Sequence, residues 1–422
     1  MDDGVAVEAT FRNHHQSQVL KVLQALKEAS HQLQTKSADS SNASVKALLE
    51  LEFVSNSILS SDPHLTTLSA DLSDLKNLIQ RQQSCEPTTG IRSFLTNRFR
   101  AHEISRLASS IESEIQAWID RETINNLTET LEEWSSSNNI VLGSSPAASR
   151  DEESLLAQLS QLRIRLVQGF DIDLQDMLLK SRLLQKLKSL LCNGHVSKRV
   201  HEMAAYSLKE LVLFNKDVFV GEVLVGQTIK SLVLMGTFFS LDVLKSLIKA
   251  VKSPLVDELE PFGGILKIVN TLDSADMATK IMALDCLMEI GYYGRKEAVE
   301  AMLSAGIIKK LVYLQRSELG GDLVDMGKGK SEEFGGENGV NVGGVEKSGR
   351  GRKGCKEMRY LECHPFASCV ARFAVQVEVG EGLRQREKRA FKQEILKRIR
   401  EASVSDAEAA TVIAEVLWGS SP

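Results

Sequence analysis

A chain of 422 residues, 43% apolar and 25% charged, has room for two or three ordinary domains or for one elongated repeat array. Its 5% aromatic content and 7 Pro argue against a succession of many short strands. A net charge of -5 and a pI near 6.0 argue against generic nucleic-acid binding, which needs a basic surface to displace counterions.

Met1-Asp2-Asp3-Gly4 offers neither the basic n-region nor the apolar h-region of a secretory signal. The longest strongly apolar stretch without a charge, Ser231 to Leu241, is about half the roughly 20 residues that span a bilayer. Six Cys spread along the chain read as reduced, buried thiols, which places the protein in the cytosol or nucleus.

The spacing predicts an all-α protein. Val19, Val22, Leu23, Leu26 and Leu33 mark one face of a first helix. Asp62-Pro63 then supplies an N-cap with proline at the first helical position. After it Leu65, Leu68, Leu72, Leu75 and Ile79 alternate steps of three and four, the narrow seam that neighbouring helices share. A further helix carries Ile104, Leu107, Ile111, Ile115 and Trp118, and another carries Ile124, Leu127, Leu131 and Trp134. With a weaker segment near Val45 to Leu59, residues 1–134 read as an N-terminal helical bundle of four or five helices. Residues 135–150 are Ser-rich and aperiodic; they read as a linker, or as a long inter-helix loop.

From Asp151 the helical pattern returns and repeats. Ile229-Lys-Ser-Leu232-Val233 and Ile308-Lys-Lys-Leu311-Val312 are 79 residues apart, and so are Ala204-Ala-Tyr-Ser-Leu208-Lys-Glu210-Leu211 and Ala283-Leu-Asp-Cys-Leu287-Met-Glu289-Ile290. Ser240-Leu-Asp-Val-Leu244-Lys-Ser-Leu247 and Ile265-Leu-Lys267-Ile268-Val269 fall between them, so the unit is about 40 residues long. Gly263 and Gly306 permit tight turns between helices. Ala204 and Ala283 allow close approach, while Leu208, Leu211, Leu287 and Ile290 fill the shared core. One such unit cannot bury its apolar face alone, so neighbours stack into a solenoid.

The stretch Gly264 to Val312, with GILKIV, then a longer helix carrying Ala283, Leu284, Leu287, Glu289 and Ile290, then SAGIIKKLV, resembles an armadillo repeat. Weaker copies start near Leu184 and Ile229, and the resemblance covers roughly residues 170–316. It implies an armadillo-like α-solenoid over 151–422. The layout of bundle followed by repeats also resembles the plant U-box/armadillo proteins, but no U-box is present, so ligase activity does not carry over.

Residues 317–357 hold 12 of the 28 Gly and few large apolar side chains, which predicts a disordered insertion in the array. Val370, Phe373, Ala374 and Val377 then share a helical face, and a charged helix runs from Leu383 to Ala402. Ser405-Asp-Ala-Glu408 is a capping box opening a last helix, whose Val412, Val416 and Leu417 would close the array.

In the armadillo family the long helix of each repeat lines a concave groove and presents Trp and Asn to an extended peptide. The matching positions here hold Tyr206 and Glu210, Asp242 and Ser246, then Asp285 and Glu289. Each pair is four apart and shares a helix face. The Trp-Asn pattern is absent and the row is acidic, which predicts binding of a basic or hydroxyl-rich segment of a partner protein; the alternative is a set of ordinary solvated charges. The helix from Leu383 carries eight Arg and Lys against three Glu. It reads as a solvated face with Phe391, Ile395 and Ile399 inward, or as a contact for acidic partners or anionic membrane.

Enzyme signals are weak. In Gly339 to Ser348, Val345 and Glu346 separate the last Gly from Lys347, unlike a phosphate-binding loop. Cys355, Cys363, His364 and Cys369 lack a zinc-knuckle spacing, and Cys192 and His195 have no second pair. The expectation is a non-enzymatic scaffold without cofactor or metal. Its rivals are an accessory subunit of a ubiquitin-ligase complex and a peripheral membrane protein.

Overall fold

The computed structural model describes residues 19, 21, 23–28, 31, 65–83, 91–136, 146–194, 196–321 and 360–418. No strand occurs among the described residues, and the regular elements are helices. The chain divides into two compact units, Met1–Thr130 with Asp171–Leu183, and Leu131–Phe170 with Leu184–Pro422.

In the first unit, helical residues between Val19 and His31 pack with α1 (Thr66–Gln83) and α2 (Ile91–Ser136). Leu65, Leu68, Leu72 and Leu75 are all buried, and join Val19, Leu23, Leu26, Ile111, Ile115 and Trp118 in one core. The three-four alternation therefore does form a seam. The two helices expected at Ile104 and Ile124 are one continuous helix, α2. The six-residue step from Trp118 to Ile124 shifts the apolar stripe, but Ile-Asp-Arg-Glu-Thr between them contains no Gly or Pro to stop the backbone. The Asp62-Pro63 cap, the side chain of Ile79 and the segment Val45 to Leu59 lie outside the described residues.

Helix α2 reaches Ser136 and α3 begins at Pro146, so both ends of the Ser-rich stretch are helical. Pro146 takes the first helical position, where its missing N–H costs nothing. Residues 137–145 lie outside the described ones. After α3 (Pro146–Val167) comes α4 (Ile172–Lys180), capped by Asp171, whose carboxylate accepts from the N–H groups of Asp173 and Leu174.

The second unit continues with α5 (Leu183–Cys192), α6 (Lys198–Phe214), α7 (Lys216–Leu224), α8 (Thr228–Met235), α9 (Phe238–Val251), α10 (Ser253–Asp257) and α11 (Gly264–Thr271). It proceeds through α12 (Met277–Tyr293), α13 (Lys296–Ser304) and α14 (Ile307–Gln315) to α15 (Cys369–Val379), α16 (Gln385–Ala402) and α17 (Asp406–Trp418). The long helices pack side by side in the order α3, α6, α9, α12, α15, α17. This is a helical solenoid.

Its period is written in side-chain contacts. Lys245 Nζ lies 3.2 Å from Asp285 Oδ2, Ser253 Oγ donates to the Tyr293 carbonyl at 2.6 Å, and Lys310 Nζ donates to Asn270 Oδ1 at 3.2 Å, all across a separation of 40 residues. Lys249 and Glu289, at 3.0 Å, keep the same offset.

The repeat core is the one the spacing calls for. Ala204, Leu208 and Leu211 on α6, Leu244 and Leu247 on α9, and Ala283, Leu287 and Ile290 on α12 are fully buried. Gly263 and Gly306 precede α11 and α14 in the left-handed conformation, with φ of 67° and 78°, which a Cβ would disfavour. Where α12 meets α15, a Cβ on Gly291 would stand 3.3 Å from the Phe373 ring, so the small residue sets that helix spacing.

The expected disordered insertion falls on residues outside the described ones, apart from 317–321. On α15, Val370, Phe373, Ala374 and Val377 are buried as their spacing predicts. At the end of the array Val412 and Val416 are buried but Leu417 is half exposed, because one residue is a 100° turn away from the shared face.

Candidate functional site

Three local caps hold the long helices that carry the candidate row. Ser197 accepts from the Val200 N–H at the start of α6, Thr237 and Ser240 form a reciprocal capping box on α9, and Asp276 accepts from the Thr279 N–H on α12. Each helix then presents a buried Leu stripe to the core and a polar face beside it. Tyr206, Glu210, Asp242, Ser246, Asp285 and Glu289 all sit on that face, and all six are half-buried.

The row is not a bare strip of carboxylates. Lys209 lies 3.3 Å from Glu210 and 3.9 Å from Asp242, Lys245 lies 3.2 Å from Asp285, and Lys249 lies 3.0 Å from Glu289. Lysines on one long helix thus neutralise acids on the next. The sequence held the signal: Lys209 and Lys245 follow the buried Leu208 and Leu244 at the same place in the repeated motif. Ser246 shares the face, one turn after Asp242.

Tyr206 departs from its equivalents Asp242 and Asp285. Its ring is flanked by the Arg163 guanidinium from α3 at 4.6 Å and by Lys209 Nζ at 4.7 Å, with Phe239 edge-on at 5.9 Å. Its hydroxyl donates to Asp242 Oδ2 at 3.4 Å. Burial, and then the negative charge of Asp242, raise the phenol pKa above its ordinary value.

Two clefts open along the row. One, of about 450 Å³, lies where α3 meets α6 and is lined by Leu156, Ser160, Arg163, Arg199, Met203, Tyr206 and Phe239 among others. The other, of about 490 Å³, lies between α9, α12 and α15, with Lys245, Lys249, Asp285, Glu289, Arg372 and Gln376 in its walls. This second cleft brings Asp285 and Glu289 together with cations from both flanking helices.

The other candidates scatter. Cys192 and Cys363 are exposed, against the expectation of buried thiols, His364 stacks on Tyr360 at 4.5 Å, and Cys369 is buried with its thiol donating to the Leu311 carbonyl at 3.2 Å. Cys355, His195 and the stretch Gly339 to Ser348 lie outside the described residues. The charged helix α16 buries Phe391, Ile395 and Ile399. Glu394 accepts from Arg398 Nε at 2.7 Å, while Arg398 Nη1 donates to the Leu303 carbonyl at 2.5 Å. Among the described residues no single helix is long and apolar enough to cross a membrane.

No family model matches the chain, and no curated relative matches it. Solved structures do. An engineered protein matches at 15% identity over 69% of this chain and 98% of its own, with a TM-score of 0.38. A designed armadillo repeat protein, solved in complex with the peptide (KR)4, matches at 16% identity over 70% of this chain and 98% of its own, with a TM-score of 0.36. Another engineered protein, at 13% identity, covers 95% of this chain and 98% of its own with a TM-score of 0.37. The likeness to armadillo-like helical scaffolds is weak and assigns no family.

Proposed function

We propose that this protein is a non-enzymatic scaffold that holds partner proteins along the polar face of its long helices, without a cofactor. One observation carries the reading: half-buried polar and ionisable residues recur at matching positions on α6, α9 and α12, and the last pair, Asp285 and Glu289, lines a cleft with Lys245, Lys249 and Arg372. A preformed helical face of this kind costs little ordering on binding.

The lysine–carboxylate pairs support a basic or hydroxyl-rich partner segment. Each pair is part-exposed, and such pairs contribute on the order of 0–1 kcal/mol. A partner's ammonium or hydroxyl therefore displaces Lys245 or Lys249 from its carboxylate at small cost. Proximity labelling with the full chain and with Asp285→Lys/Glu289→Lys tests this: the reversal removes a defined subset of neighbours. An unchanged neighbour set would sink the groove reading.

A second reading rests on α16, where Arg386, Arg389 and Arg400 are exposed and make no ion pair among the described residues. These cations suit an anionic lipid surface or an acidic partner. Sedimentation with phosphatidylserine vesicles, against neutral vesicles, separates a peripheral membrane protein from a scaffold. An accessory role in a ubiquitin-ligase complex is a narrower form of the scaffold reading, and ligase subunits among the labelled neighbours would support it. A cytosolic or nuclear setting accompanies both forms of the scaffold reading.

A further inference from the structure

The long helices form a ladder in which a cation on one helix meets the next helix at one recurring position. Lys209 on α6 lies near Asp242 on α9, and Lys245 on α9 pairs with Asp285 on α12. On the preceding rung the cation is Arg163 on α3, and the position it meets is Tyr206. An aromatic ring stands there in place of a carboxylate.

That replacement leaves Arg163 incompletely used. Its guanidinium lies on the ring face at 4.6 Å, and Nη1 approaches the Met203 sulfur at 3.3 Å. Nε is buried without a hydrogen-bond partner, and no carboxylate among the described residues pairs with the group. A guanidinium carries five N–H donors in a planar fork matched to a carboxylate, and a thioether sulfur is a weak acceptor. Contacts with the Tyr206 ring and the Met203 sulfur hold the group in place. Beside it lies the α3–α6 cleft, with Leu156, Met203 and Phe239 as apolar wall, exposed Arg199 at the rim and Glu202 as its one carboxylate.

We propose that the α3–α6 cleft docks a partner-protein segment bearing Asp or Glu beside an apolar side chain, the carboxylate on the Arg163 guanidinium and the apolar group against Met203 and Phe239. Charge complementarity chooses this occupant: Arg163 and Arg199 outnumber Glu202 in the cleft wall, Glu202 itself lies 3.9 Å from Lys198, and across adjacent long helices Arg163 meets a ring where Lys209 and Lys245 meet carboxylates. The proposal rests on the scaffold reading and adds the partner's chemistry at one end of the row. A partner strand would then be acidic and apolar at α3–α6 and basic or hydroxyl-bearing toward α12.

The test is fluorescence anisotropy of the full chain with a panel of labelled ten-residue peptides carrying Asp or Glu next to Leu or Phe. Matched copies carry Asn or Gln, or Lys, in place of the acid. The acidic copies bind roughly tenfold or more tighter than the amide copies, and Arg163→Met removes that preference. Because Arg163 also packs on Tyr206, Arg199→Gln at the exposed rim serves as a second variant and weakens the acidic peptides about threefold, as expected for a rim charge. Amide copies binding as well as acidic ones, or no peptide binding at all, overturns the proposal, as does an acid preference that survives both variants. Lysine copies that bind while the acidic copies do not, and are lost in Asp285→Lys/Glu289→Lys, would overturn it while leaving the scaffold reading standing.

Discussion

Lys245 on α9 and Asp285 on α12 are 40 residues apart in the chain and 3.2 Å apart in space. The pair joins adjacent long helices at the solenoid's own period, on a face where both side chains keep partial contact with water. A double-mutant cycle of Lys245→Met and Asp285→Asn, read by urea unfolding, is expected to return a coupling of about 0.2–1 kcal/mol. A coupling above roughly 2 kcal/mol would mean that the pair is a structural cross-brace and not a replaceable surface contact.

The core beneath that face is where stability resides. Leu287 is fully buried on α12, whereas Leu266 on α11 is 49% exposed. Leu287→Ala is expected to destabilise the protein by about 2–5 kcal/mol, through lost burial and the cavity left behind. Leu266→Ala is expected to stay within about 1 kcal/mol. Chemical denaturation of the two variants side by side checks the assignment of faces.

Close backbone approach makes Gly382 irreplaceable in a way Gly221 is not. A Cβ on Gly382 would stand 2.1 Å from the Gly294 carbonyl oxygen and 2.5 Å from that of Tyr293. The same loop is held by the Glu381 and Gly382 N–H groups, which both donate to the Tyr292 carbonyl. Gly382→Ala is expected to cost about 1–3 kcal/mol, since backbone must move. Gly221, inside α7, has open space around its Cβ position, so Gly221→Ala is expected to stabilise by up to about 1 kcal/mol. Thermal unfolding resolves the opposite signs.

The terminal helix α17 carries a pH dependence. Arg316 donates twice to Glu408, at 2.8 and 2.9 Å, and holds its carboxyl below the ordinary value of 4.5, helped by the Val404 N–H. A depressed folded-state pKa adds stability that is fully present above the ordinary value and is lost as pH falls through the lower folded one. Unfolding free energy is therefore expected to drop below about pH 4.5, and Glu408→Gln to flatten that part of the profile. An identical acid slope in the variant would rule Glu408 out as its source.

Thiol chemistry separates buried from exposed cysteines. Burial pushes the Cys369 thiol up to about 12 and the Cys286 thiol higher still, so neither supplies thiolate near pH 8. Cys192 and Cys363 are exposed. Mass-mapped labelling of the native protein at pH 8 is expected to modify Cys192 and Cys363 and to spare Cys286 and Cys369 until denaturant is added. Rapid native labelling of Cys369 would show that α15 opens locally.

Much of the fold was legible because it depends on local geometry. The Leu65-to-Leu75 seam, the buried Leu208, Leu211, Leu287 and Ile290, the left-handed Gly263 and Gly306, and the inward face of α16 each follow from the helical period or from one residue's backbone freedom. The candidate row was legible as a shared face for the same reason.

What the row does with its charges was not. The sequence by itself determined the 40-residue period, the apolar stripe and which side chains stand beside it. Only the tertiary structure decided that Lys209, Lys245 and Lys249 meet the acids, that Arg163 meets a ring, and that Glu408 joins Arg316 and the Val404 N–H instead of completing its capping box at Ser405. The physical reason is reach. Periodicity is set within a helix every 3.6 residues, whereas a cross-helix ion pair depends on the stagger between two helices. That stagger is fixed by packing of small and large side chains, such as Gly291 against Phe373.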